Sequence, residues 1–140
     1  MTGALENLVR LHRWTLDEKR RLLTDLERLA QRLSKDITTL DEEIASEQEV
    51  ASQSLEGAVA YPAFVAVAKR RREKLVESLR AVEAEGEEAR TAVRAAFQEL
   101  KKYELAQAAA SKRAKDKAAR AEQQAEDELG LELHRRKGRY

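Results

Sequence analysis

The sequence predicts an all-α protein, a long two-helix antiparallel coiled-coil hairpin. Three observations predict it. Charged residues make up 38% of the 140 positions and aromatics only 4%, too little bulky apolar material for a thick globular core. Apolar residues recur every seven positions in two separate stretches, which lays a single stripe along a helix. The only proline, Pro62, stands between those stretches, in GAVAYPAFVAVAKRRREKL (57–75).

In the first stretch Leu16, Leu23, Ala30, Ile37, Ile44 and Ala51 are seven apart, and Leu26, Leu33 and Leu40 follow three of them at +3. No glycine or proline interrupts Leu5 to Ser54, so helix one is expected over about 3–56. Gly57 can adopt the left-handed conformation that closes a helix, and Pro62 suits a first helical position, where its missing N–H costs nothing. A turn is therefore expected at about 57–61. Beyond it Leu75, Leu79, Val82, Gly86, Ala89, Val93, Ala96, Leu100 and Tyr103 alternate four and three apart, a second helix over about 62–130, with a basic tail at 131–140. The whole is expected to be a single coiled-coil domain.

In an antiparallel pair, facing residues have numbers that add to a constant. With 119, Ile44 faces Leu75, Leu33 faces Gly86 and Leu16 faces Tyr103. The polar exceptions also find partners: Glu47 opposite Arg72, His12 opposite Gln107, and Lys19 laying its methylenes along Leu100. Some 50 paired residues per helix would extend about 75 Å. The later part of helix two, AQAAASKRAKDKAARAEQQAEDEL, is alanine-rich and buries little, and its Ala110, Ala114, Ala118, Ala121, Ala125 rhythm contains an extra four-residue step. Residues past about 118 have no counterpart left on helix one.

Twenty-seven basic and 26 acidic side chains nearly cancel, so nucleic acid is not an expected partner. The absence of cysteine excludes disulfides and thiolate metal sites. No apolar run approaches the ~20 residues needed to span a bilayer. MTGALENLVRLHRW has no uninterrupted apolar core of a signal peptide, so a soluble cytoplasmic protein is expected. His12 on the seam and His134 in the charged tail lack the neighbours of a triad or metal site. No catalytic, cofactor-binding or metal-binding residue, and no small-molecule substrate, is expected.

Three features invite contact with other proteins. Lys69, Arg70, Arg71 and Arg72 point round most of a helix and form no flat patch. Phe64, Ala68, Arg71 and Leu75, at i, i+4, i+7 and i+11, lie along one stripe near the turn, where helix one offers only small cover. Trp14 and Leu11 fall on the outward face, as does Leu105, and aromatics concentrate in partner interfaces. The closing HRRKGRY reads equally as a solubilising end or a contact for an acidic surface.

Taken together, a hairpin of unequal helices with AYPAF followed by RRR, then FQELKKYELA and AEQQAEDELGLELHRR, resembles the flagellar export protein FliJ family, most closely its alphaproteobacterial branch. The likeness covers nearly the whole chain. It implies a non-enzymatic coiled coil of the flagellar type III export apparatus, similar to the central stalk of rotary ATPases. The implied partners are the hexameric flagellar export ATPase, the cytoplasmic region of the export gate, and export chaperones. The implied location is cytoplasmic, peripheral to the inner membrane at the flagellar base. By position, the gate-binding stripe would be Phe64, Ala68, Arg71 and Leu75, where the family's usual apolar and histidine residues at the last two are here arginine and leucine. The ATPase-facing end would involve Arg10, Arg13, Trp14, Lys19 and Arg20 on helix one, and Arg120, Asp127 and Glu128 on helix two. Two other readings stand beside it: the stalk of a virulence-type secretion system, and a structural coiled coil holding nucleic acid through KRRR and RRKGR.

Overall fold

A computed structural model describes residues 2–138 as two helices, α1 (Thr2–Gln53) and α2 (Leu55–Gly138), with no strand among the described residues. The helices pack against each other antiparallel, as a two-helix coiled-coil hairpin. The chain divides into two compact units: a turn-end unit, Thr15–Ala96, and a terminal unit, Met1–Trp14 with Phe97–Tyr140.

The turn-end unit is built on the heptad stripes. Leu23, Leu26, Ala30, Leu33, Ile37 and Ile44 are half-buried and Leu16 and Leu40 buried on α1. They meet Leu75, Leu79, Val82 and Val93, half-buried, and Ala68, Gly86 and Ala89, buried, on α2. Each helix buries only this one stripe, so the hydrophobic contribution, on the order of 1.5–3 kcal/mol per enclosed Leu or Ile, is confined to it.

The chain reverses at Ser54, earlier than the expected turn at 57–61. Ser54 caps α2: its Oγ accepts a hydrogen bond from the Gly57 N–H at 3.0 Å, and its carbonyl accepts one from the Ala58 N–H at 3.1 Å. A serine oxygen satisfying an orphan N–H of the first turn is worth about 1 kcal/mol, and Glu56 adds a favourable charge at that end. Pro62 consequently lies inside α2 rather than at its start. No described glycine has a positive φ, so Gly57 does not close α1 as a left-handed residue. It is needed for another reason. A Cβ on Gly57 would sit 2.9 Å from the Ser54 Oγ, 3.0 Å from the Ala51 Cα and 3.2 Å from the Val50 carbonyl oxygen.

The register differs from the expected one by a seam step. Arg72 pairs with Asp41, at 2.7 Å and 3.3 Å, and not with Glu47. Arg90 reaches Glu27 at 4.0 Å, and Leu75 and Leu40 line one small cleft. These pairs have numbers adding to between 113 and 117, below 119. At the turn, Gly57 against Ala51 gives 108. Between the Gly57–Ala51 approach and the Arg72–Asp41 pair α2 is therefore about five residues longer than α1. That stretch contains Pro62, which lacks the N–H that would bond the Ala58 carbonyl.

In the terminal unit Val9 and Leu100 are buried, and Leu5, Tyr103, Gln107 and Ala110 half-buried. His12 stacks on Tyr103, ring centroids 4.5 Å apart at 13°, and does not face Gln107. Arg13 lies 3.8 Å from Glu104. The same lower constant thus holds here. From Ser111 to Gly138 every α2 residue is exposed. The helix runs through Gly130 to Gly138, past the expected end at 130. One glycine costs a helix about 1 kcal/mol. Opposing it are the Glu132–Arg136 pair at 3.6 Å and the cations Arg135, Arg136 and Lys137 in the last turn.

Two glycine substitutions should move stability in opposite directions. Gly86 is buried in the seam, yet a Cβ there would meet nothing within 4 Å, so Gly86→Ala should stabilise by about 1 kcal/mol through helix propensity. Gly57→Ala should lower the melting temperature, because the capping Ser54 Oγ must shift and the Ala51 and Val50 backbone must give way. Thermal melts followed by circular dichroism compare the two. Equal upward shifts would mean that α1 does not approach Gly57 so closely.

Candidate interaction surfaces

The turn-end unit carries the expected gate-binding stripe in mixed states. Arg71 is exposed, Phe64 and Leu75 are half-buried, and Ala68 is enclosed at 4% exposure. Leu75 and Arg71 line one cleft with Asp36, Thr39, Leu40 and Glu43. Of the four consecutive cations, Arg72 is held by Asp41. That hydrogen bond, and then the Asp41 charge, raise the pKa of its guanidinium above that of an ordinary arginine. Lys69, Arg70 and Arg71 are exposed and form no ion pair among the described residues.

The heptad reading missed the most exposed apolar residues of this unit. Leu55 is 83% exposed, Val59 75% and Val67 65%. All three lie on or beside the stretch between Gly57 and Arg72 in which α2 is longer than α1. Four-residue spacing from Leu55 through Val59 and Ala63 to Val67 places them along one side of that stretch, a signal visible in the sequence once the turn is placed at Ser54.

Lys19 and Arg20 also belong to the turn-end unit and are exposed, Lys19 bordering a cleft with Leu22, Leu26, Glu88 and Ala92. The other expected ATPase-facing residues lie in the terminal unit. Arg10 is exposed, Arg13 is next to Glu104, and Trp14 is 62% exposed. Arg120, Asp127 and Glu128 are exposed on the unpaired part of α2, where the Gln123 side-chain amide donates to Asp127 at 3.1 Å. Leu105 is 69% exposed, and Leu11 is also exposed. An open cleft of about 860 Å³ runs between the start of α1 and α2, bounded by Leu5, Arg13, Ala108, Ala114, Lys115 and Ala118.

Among the described residues no helix is long and apolar enough to cross a membrane, and no three His, Asp or Glu side chains are grouped to hold a metal ion.

The His12–Tyr103 stack closes the terminal unit where alanines take over. An aromatic pair contributes about 0.5–1.5 kcal/mol beyond its area. Tyr103→Ala should therefore speed amide hydrogen exchange across residues 5–14, and Tyr103→Phe, which keeps the ring, should leave it nearly unchanged. Equal acceleration by both would assign the effect to the phenolic hydroxyl instead.

The family model of the flagellar FliJ protein matches residues 1–139. No curated protein and no solved structure matches the chain.

Proposed function

The chain belongs to the flagellar FliJ family, components of the type III protein export apparatus, and from that premise we propose that it is the non-enzymatic adaptor between the export ATPase and the export gate. In this reading the terminal unit engages the hexameric ATPase through Arg10, Arg13 and Trp14 and through Arg120, Asp127 and Glu128. Lys19 and Arg20 extend that contact along α1. The turn-end unit engages the cytoplasmic region of the gate through Phe64, Arg71 and Leu75. Ala68 supports that stripe from within the seam. The adaptor works in the cytoplasm against the inner membrane at the flagellar base and handles export chaperones. Hydrolysis is left to the ATPase.

The observation that carries the reading is the excess of α2 over α1. Residues 111–138 are helical and each is exposed, so the hairpin buries none of them. Their surface is dominated by charge, and contacts between solvated charges are weak and screened, each about 0–1 kcal/mol. Such a surface can step against a ring without locking to it. The exposed Leu55, Val59 and Val67 supply the other kind of surface, an apolar one suited to a lasting contact.

The two ends should separate in binding experiments. A chain truncated after residue 118 should lose the ATPase in a pull-down and keep the gate's cytoplasmic domain. Phe64→Ala should keep its helix content and its ATPase, lose the gate, and impair motility and export. Retention of the ATPase by the truncated chain would overturn the terminal assignment, and normal export by Phe64→Ala would overturn the other.

A further inference from the structure

The unpaired part of α2 is divided by charge. Residues 112–120 carry five cations and one anion, and residues 121–132 carry five anions and no cation. All are exposed. None of Lys112, Arg113, Lys115, Glu122 or Glu126 takes part in an ion pair among the described residues. A basic block followed by an acidic block is self-complementary only when two copies run in opposite directions. Side by side and parallel, like charges would face each other.

From this charge order and the open cleft beside it, we propose that the segment 111–129 of α2 docks against the same segment of a second copy of this chain, antiparallel about a twofold axis between Ala119 and Arg120. The register is fixed by one constant close to 239. Ala114 then meets Ala125, and Ala118 meets Ala121, residues that lie four, three and four apart on one face of the helix. With that face turned inward, Lys112 lies level with Asp127 and Arg113 with Glu126, and Lys115 falls within two residues of Glu122, each pair occurring twice by symmetry. Leu129, exposed in the single chain, comes level with Ala110 and enters the cleft that Leu5 and Ala110 line. The contact spans about 27 Å of helix at 1.5 Å per residue, and its alanine centre lets the two backbones approach closely. Its strength rests on charge, so added salt weakens it.

The proposal does not depend on the export reading. It occupies the segment assigned there to the ATPase, so one chain cannot make both contacts at once.

The experiment is sedimentation equilibrium of the full chain at high micromolar concentration, in low and in high salt. A dimer that dissociates as salt rises is expected. The triple reversal Lys112→Glu, Arg113→Glu, Lys115→Glu, and separately Glu122→Lys, Glu126→Lys, Asp127→Lys, should each weaken self-association by about tenfold or more. An equimolar mixture of the two variants should associate again, because each block then meets its opposite. Circular dichroism checks that each variant keeps its full helix content, including the segment from residue 111 that no hairpin packing holds. A chain that stays monomeric in low salt would overturn the proposal. So would a dimer indifferent to both reversals, or a mixture that fails to re-form one.

Discussion

Everything in this fold depends on a seam one stripe wide. α1 and α2 each have a single apolar line, and among the described residues no side chain is fully enclosed. α1 brings mostly large residues, such as Leu16, Leu33 and Leu40, while α2 answers with Ala68, Gly86 and Ala89. That division lets the backbones come near without a thick core. It also leaves little surplus for polar intruders. His12, on the seam, is accommodated only because Tyr103 offers a ring to stack on, and Glu47, also on the seam, stays exposed.

The seam explains what was legible in the sequence and what was not. Seven-residue spacing marks which residues of each helix turn inward, and the buried and half-buried positions follow it from Leu5 to Ala51 and from Leu75 to Ala110. It says nothing about which layer meets which. Because both stripes alternate three and four, sliding α2 by one seam step still brings apolar residues together. Register is then decided by the turn, and the turn by a local choice between two capping signals. Pro62 was the louder one, but Ser54 won, since its hydroxyl and carbonyl both find N–H groups of the following turn. Once the reversal stands at Ser54, Arg72 falls within reach of Asp41 instead of Glu47.

The candidate surfaces were legible in proportion to their independence from register. Trp14, Arg10 and Arg120 lie off the stripe, and their exposure follows from heptad counting alone. Leu55, Val59 and Val67 could not be found that way. Their exposure falls near the turn, where α2 is longer than the α1 segment it returns along, a feature of the turn and not of any repeat. The continuation of α2 through Gly130 was likewise hidden, because glycine counts as a stop only when the residues after it fail to support a helix. Here Glu132 pairs with Arg136, and the last turn is basic.

The two proposed uses of one segment are thermodynamically linked. A surface that binds its own copy and a ring partner links the two equilibria by mass action, so whatever fills one use withdraws chain from the other. The six charges on Lys112, Arg113, Lys115, Glu122, Glu126 and Asp127 are suited to that role because none is committed to a partner across the hairpin. Their contacts can be exchanged without unzipping the seam. An apolar end could not behave so. It would hold its first partner through surface removed from water, which neither salt nor a competing charge displaces easily. The placement of charge on the part of α2 that the hairpin leaves alone therefore suits an end that changes partners. The exposed leucine and valines after Ser54 suit one that keeps a single partner.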